Sequence, residues 1–362
     1  ITDVLNNTSS GTITATYAVT PVSGGGCTGA TQNVVVTVNP QPAMNAVNTQ
    51  QCSGTAIGVS FTKTAGSPII NNYNITSVIV PGGLVASGSN AVIPANGVSA
   101  TYISNDSYLN TTLNPLIVQY TVVPTTSAGC LGSPTSVNIT INPQPSLSAT
   151  LDKTLCSELA TGLTLSTIAG SVPATGYNIT GITIAPGLVA GGSNAVVPAS
   201  NVAPGYLASD QFTNTGNAPL TVVYQVVPVS ALGCNGNPPK SITMTILPEP
   251  VVANGLSGSK CSGIATGLTL NTNGTSVAAA NYNITTRTIA PGLVASGANA
   301  VVPAAGVPAS YLAGDVFTNT TSAALAVTYT VVPISASPCT GQPKIITITI
   351  NPEPVMSPAG TS

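Results

Sequence analysis

Apolar and polar residues alternate with a period of two at recurring places along this chain. Val137, Ile139 and Ile141 fall on one face of a segment whose other face carries Asn138 and Thr140. Ile346, Ile348 and Ile350 stand in the same way against Thr347 and Thr349. Period two with one polar face predicts an antiparallel sheet that covers a core on one side. Leu116 to Val123 and Val78-Ile79-Val80 are rich in β-branched residues and predict central strands. Ile57 to Phe61 alternates too, and Leu84-Val85 to Ile93 supply shorter strands. No stretch carries a capped 3.6-residue apolar period, so the chain is expected to be all-β with essentially no helix.

The pattern repeats. Tyr120 to Pro145 reads as an apolar strand, a small-residue loop with Cys130, an alternating strand and a Pro-x-Pro exit. The same arrangement runs from Tyr17 to Pro42, Tyr224 to Pro250 and Tyr329 to Pro354. In each copy the cysteine follows the tyrosine by ten residues, and copies start 103, 104 and 105 residues apart. A period that long is a whole domain rather than one turn of a solenoid. The expected domains are therefore a partial repeat at 1–42, full repeats at 43–145, 146–250 and 251–354, and the start of a further repeat or join at 355–362. With Ile1 in place of an initiator Met, the chain reads as an excerpt from a longer array.

About seven short strands per hundred residues, broken by Gly, Pro, Asn and Ser, predict an immunoglobulin-like β-sandwich. Tyr120, Tyr224 and Tyr329 fall on the penultimate strand, as core residues or as corner tyrosines. The joins Asn142-Pro143-Gln144-Pro145, Leu247-Pro248-Glu249-Pro250 and Asn351-Pro352-Glu353-Pro354 are short and stiff, because proline fixes φ and restricts its predecessor. They predict domains arranged as a rod.

Charge narrows the function. Six Lys+Arg against eight Asp+Glu give a net charge of −2, and charged residues make up 4% of the chain. No basic footprint exists for nucleic acid. No apolar run approaches the length of a membrane span. A surface so nearly neutral favours self-association.

YTVVP…GC-x-G…VNITINPQP, with the upstream Asp-x-Phe-Thr-Asn element, resembles the PKD-like repeats of large surface proteins from gliding Bacteroidota. The resemblance covers nearly the whole chain, although the tryptophan and Gly-Asp-Gly turn of the older PKD pattern are absent. It implies secretion to the cell surface and use as a tandem stalk or adhesive filament.

Catalytic chemistry is sparse. There is no histidine, so Ser-His-Asp and Cys-His arrangements cannot form. Only one acid recurs well inside the unit, where a glycosidase needs two, and no phosphate-cradling loop precedes a helix. The chain is expected not to be an enzyme and to need no cofactor. The recurring acids Asp3, Asp106, Asp210 and Asp315 each precede an Asn by four residues: Asn7, Asn110, Asn214 and Asn319. The expected role is pinning a loop through side-chain to backbone bonds; calcium ligation by Asp106, Asp210 and Asp315 is the alternative. Asn-Ile-Thr at Asn74, Asn178 and Asn283 matches the N-glycosylation pattern. Lys63, Lys153 and Lys260 share no repeat position, which argues against a Lys–Asn cross-link in every unit.

Seven cysteines at repeated places point to disulfides and an extracellular setting. Two pairings compete. One joins Cys27 to Cys52, Cys130 to Cys156 and Cys234 to Cys261 across the joins. The other stays within a unit: Cys52 with Cys130, Cys156 with Cys234, Cys261 with Cys339, leaving Cys27 unpaired. If the chain enters each sandwich beside its last hairpin loop, the within-unit cysteines are neighbours. Those across a join are separated by a strand of roughly 23 Å, too far for a disulfide. The within-unit pairing is therefore expected.

The functional expectation is a structural or adhesive stalk segment of a long cell-surface protein. Its partners would be external surfaces or polysaccharide, with secretion and anchoring machinery engaged by other parts of the parent chain. The rival is an array of glycan-binding modules accessory to an enzyme. It would show exposed aromatic platforms, whereas aromatics are only 4% and Trp is absent.

Overall fold

The computed structural model describes residues 2–354, so the expected start of a further repeat at 355–362 lies outside the described residues. Residues 13–38 form a hairpin of β1 (Ile13–Val19) and β2 (Gln32–Val38). Each later repeat supplies seven strands. Repeat 1 has β3 (Val47–Cys52), β4 (Asn72–Ile79), β5 (Leu84–Ser87), β6 (Ala95–Val98), β7 (Ser107–Asn110), β8 (Leu116–Thr125) and β9 (Thr135–Asn142). Repeat 2 has β10 (Lys153–Cys156), β11 (Ala174–Ile184), β12 (Leu188–Ala190), β13 (Ala199–Val202), β14 (Phe212–Asn214), β15 (Leu220–Ser230) and β16 (Lys240–Leu247). Repeat 3 has β17 (Gly258–Cys261), β18 (Ala279–Ile289), β19 (Leu293–Ser296), β20 (Ala304–Val307), β21 (Val316–Asn319), β22 (Leu325–Ser335) and β23 (Lys344–Asn351). Among the described residues there is no α-helix.

Every repeat builds one five-stranded sheet and one two-stranded sheet. In repeat 1 these are β3-β9-β8-β4-β6 and β5-β7, and repeats 2 and 3 copy the order. The apolar faces read from the sequence do line the core. Val137, Ile139 and Ile141 are fully buried, while Asn138 and Thr140 on the opposite face are not. Ile57, Val59 and Phe61 also alternate into this core, yet they form no strand ladder. Ile57 N–H donates to Asp106 O (2.8 Å), and Phe61 N–H to Ala100 O (3.0 Å), across the sandwich. Alternation here reports burial of every second side chain, with loop carbonyls taking the place of a neighbouring strand.

The first strand decides more than its length suggests. β3 pairs parallel to β9, with Val47 opposite Val137 and Cys52 opposite Asn142. β10 and β17 pair in the same sense with β16 and β23, placing Cys156 opposite Leu247 and Cys261 opposite Asn351. The chain does enter each repeat beside the last hairpin loop: an added Cβ on Gly132 would lie 2.0 Å from Pro42 O. The parallel strand then carries the cysteine along β9 to the opposite pole. That displacement is a strand of eight residues, about 23 Å.

The within-unit pairing is thereby corrected. Cys52 bonds Cys234 and Cys156 bonds Cys339, each with Cα atoms 5.5 Å apart. Cys130 and Cys261, expected to be bridged, are unpaired, as is Cys27. The expectation failed because it placed each first cysteine where the chain enters, not where the first strand ends.

The chain divides into two compact units. Among the described residues, one comprises 2–147, 167–175 and 228–238, and the other comprises 148–166, 176–227 and 239–354. Both Cys52 and Cys234 belong to the first, and both Cys156 and Cys339 to the second.

Candidate functional site

Two constellations recur. The first is a clamp between successive repeats, made from a strand-end cysteine and a hairpin-loop cysteine. Its strand half is an elbow. Past Cys52 the chain turns, Ser53 N–H donating to Asn142 O (2.8 Å) and Thr55 N–H to Cys52 O (3.2 Å). Ser53 Oγ accepts the N–H of Asn110 at 2.8 Å, and Ser157 and Ser262 do the same for Asn214 and Asn319. The third elbow residue adopts a left-handed backbone at Gly54 (φ 73°) and Gly263 (φ 74°). In repeat 2 that place is taken by Glu158 (φ 64°), where a side chain costs about 1–2 kcal/mol.

The loop half is equally fixed. Ser230 N–H donates to Cys234 O (2.9 Å) and Gly236 N–H to Pro228 O (2.8 Å). A Cβ on Gly236 would sit 2.3 Å from Pro145 O, and one on Gly341 1.8 Å from Pro250 O. Glycine two residues after the cysteine lets the loop lie directly on the second proline of the preceding join. Pro145 and Pro250 are accordingly buried. The join is packed, and the loop cysteine is delivered to the pole where the previous repeat's first strand ends.

A pair of acids sits at the junction of repeats 2 and 3. Burial pushes the Glu249 carboxyl up to about 7, and the negative charge of Glu158 adds to that rise. Gln342 Nε2 donates to Glu158 Oε2 at 3.3 Å.

The second constellation is inside each sandwich and joins two motifs that the sequence showed separately. Tyr120 Oη donates to Asp106 Oδ2 at 2.6 Å, Tyr224 to Asp210 at 2.6 Å, and Tyr329 to Asp315 at 2.7 Å. The copy in the partial repeat, Tyr17 to Asp3, measures 3.0 Å. The other carboxylate oxygen accepts a backbone N–H at 2.7 Å from Ala91, Ala195 or Ala300. Burial foremost, and then the neighbouring carboxylate, hold the three buried phenols far above the usual tyrosine range. Repeats differ in the remaining partner. Tyr108 Oη shares a 2.7 Å bond with Tyr120, whereas Arg287 pairs with Asp315 at 3.3 Å. These tyrosines are core residues bonded to a side chain, not corner residues bonded to backbone.

Asp and Asn do pin loops, as the spacing suggested. Asn214 Nδ2 donates to Ala218 O (2.9 Å) and Ile246 O (2.8 Å), while its Oδ1 accepts from Gly216 N–H (3.0 Å). As for the calcium alternative, both oxygens of Asp106, Asp210 and Asp315 face hydrogen-bond donors, and no acidic cluster surrounds them among the described residues. Asn90 was missed in the sequence. Its Oδ1 accepts Ser107 N–H (2.9 Å) and its Nδ2 donates to Ser107 O (3.0 Å), fixing the backbone of the residue after Asp106. The signal was an Asn sixteen residues before each aspartate, at Asn90, Asn194 and Asn299. The Asn-Ile-Thr motif also has a structural use: Asn74, Asn178 and Asn283 accept N–H bonds from Gly97, Asn201 and Gly306. Seven of the eleven tyrosines are buried, and Tyr17, Tyr102, Tyr206 and Tyr311 are half-buried.

A model of the PKD-like domain matches residues 1–42, 86–145, 153–250 and 261–354. The chain belongs to the PKD-like domain family. No curated protein matches it. Among solved structures, these PKD-like repeats are similar to Drosophila N-cadherin EC1-4, with 10% identity, a TM-score of 0.22, and 95% of this chain and 84% of that one covered. For the chicken CNTN1 FN1-FN3 domains the figures are 12%, 0.24, 86% and 98%. For Bacteroides ovatus SGBP-B, solved with a mixed-linkage heptasaccharide, they are 13%, 0.17, 86% and 71%.

Proposed function

We propose that this chain is a load-bearing structural and adhesive stalk segment of a long extracellular repeat protein, a cell-surface filament of the gliding-motility adhesin type. The observation that carries the reading is the clamp: Cys52–Cys234 fastens repeat 1 to repeat 2, and Cys156–Cys339 fastens repeat 2 to repeat 3. A covalent bond between repeats shapes no substrate pocket. It limits how far successive domains can be drawn apart. Disulfides of this kind persist in oxidising, extracellular surroundings. The near-absence of charge suits contact with external surfaces or polysaccharide, and with other copies of the filament, through hydrogen-bonding Thr, Ser and Asn. Secretion and anchoring fall to other parts of the parent protein.

Single-molecule pulling from the two ends tests this. The oxidised chain is expected to reach a much shorter contour length than the reduced chain, because the overlapping bridges shunt load past most of repeats 1 to 3. Equal contour lengths would overturn the load-bearing role.

A further inference from the structure

Three cysteines have no partner: Cys27 and Cys261, which are exposed, and Cys130, which is partly covered. Each stands in a half-clamp built like the occupied ones. Cys130 N–H donates to Thr126 Oγ1 at 3.2 Å, and Cys27 N–H to Ser23 Oγ at 3.2 Å. The bonded Cys234 and Cys339 make the same 3.2 Å bond to Ser230 and Ser335. The glycine that lets the loop lie on a join follows two residues later at Gly29 and Gly132. Cys261 ends β17 opposite Asn351, as Cys52 ends β3 opposite Asn142. Its elbow closes through Ser262 N–H to Asn351 O at 2.9 Å, matching Ser53 N–H to Asn142 O at 2.8 Å.

We propose that Cys261 is an open strand-type half-clamp, and Cys27 and Cys130 open loop-type halves, each made to bond the opposite half of a further repeat of this kind. The two occupied bridges in the same chain show what these thiols take. The surface is directional: strand-type joins loop-type, and the loop always belongs to the repeat that follows. An array assembled by this rule has every internal repeat fastened on both sides, and its order cannot reverse. It also links each repeat only to its immediate neighbours, so a break at one clamp leaves the rest closed.

The bond forms by thiol–disulfide exchange. A thiolate from one half attacks a small disulfide such as oxidised glutathione, releasing one glutathione thiol. The second half's thiolate then displaces the other. Two protein thiols are oxidised to one disulfide, and one oxidised glutathione is reduced to two thiols, which take up both protons.

The test lengthens the chain: a second copy of residues 251–354 is placed directly after Pro354, carrying Ile264→Val and Ala336→Ser at exposed positions so that its cysteine peptides differ in mass from the originals. The protein is folded in a glutathione redox buffer, alkylated and mapped without reduction. The expected result is loss of alkylation at Cys261 and a new peptide joining it to the loop cysteine of the added repeat. Cys52–Cys234 and Cys156–Cys339 are retained in the same digest and report on folding of the remainder. Recovery of Cys261 fully alkylated, or bonded to Cys339 or to the added strand-type cysteine, overturns the proposal. A second measurement does not depend on the added repeat folding. The 362-residue chain is concentrated in the same buffer, and bridges between copies are mapped. Strand-to-loop products, Cys261 with Cys27 or Cys130, are expected well above the share that random pairing of the three thiols gives, and Cys261 with Cys261 well below it. A statistical mixture, or glutathione adducts alone, sinks the directional rule.

Discussion

Cys52 stands opposite Asn142 in the parallel pairing of β3 with β9, a whole strand away from the loop that holds Cys130. This relationship makes the disulfides of this protein connections between domains. A sandwich whose first strand paired near its own hairpin loop would close on itself. Here the first strand ends at the far pole, where the following repeat brings its own loop cysteine against the join.

Peptide mapping of the oxidised chain is expected to yield Cys52 with Cys234 and Cys156 with Cys339, and no peptide joining Cys52 to Cys130. With 182 residues between its ends, the first bridge stabilises the chain by up to roughly 5 kcal/mol on the chain-entropy model. Cys52→Ser combined with Cys234→Ser should therefore lower the denaturant midpoint, and separate the melting of repeats 1 and 2.

Tyr224→Phe removes the phenol that donates to Asp210 Oδ2, leaving a buried carboxylate oxygen without that partner. The expected loss is about 1–3 kcal/mol, read as a shift of the urea midpoint. The phenols themselves predict a pH limit. Their folded values are raised, so their contribution is complete below pH ~10 and is lost as pH climbs towards those values. In a spectrophotometric titration Tyr120, Tyr224 and Tyr329 should ionise last, together with unfolding. Ionisation of all eleven in one step near pH 10 would contradict their burial.

Glu249 runs in the opposite sense from most carboxylates. Its folded value of about 7 lies above the ordinary 4.5, so the folded state holds the proton more tightly. Its stabilising contribution is present below about pH 4.5 and is lost as pH rises towards 7. Glu249→Gln should raise the melting temperature at pH 8 by a few degrees, about 1 kcal/mol after solvent screening, and change little at pH 4. Glu158→Gly should act in the same direction, since it removes both the neighbouring charge and a left-handed side-chain residue.

Gly236→Ala places a methyl group 2.3 Å from Pro145 O, so the loop must lift from the join. A loss of about 1–3 kcal/mol is expected, together with slower closure of Cys52–Cys234 in a redox-buffered refolding assay. The matched substitution Gly24→Ala, in a position with open space around it, should leave both unchanged.

The all-β class, the strand positions and the inward faces at Val137, Ile139 and Ile141 were legible in the sequence, because period-two alternation is a local property of the pleat. Repetition also marked the residues that matter. The tyrosine, the aspartate, the Asn four places on and the cysteines were all visible as recurrences. What local pattern could not convey was which of them meet. Tyr224 and Asp210 are fourteen residues apart and lie on different elements, so only the folded sandwich brings phenol to carboxylate. The cysteine partners depended on the direction of one short strand. Residues 47–52 read alike whether β3 runs parallel or antiparallel to its neighbour, since side chains alternate identically in both. Only packing of the whole sheet chose the parallel sense, and with it placed the disulfides between repeats.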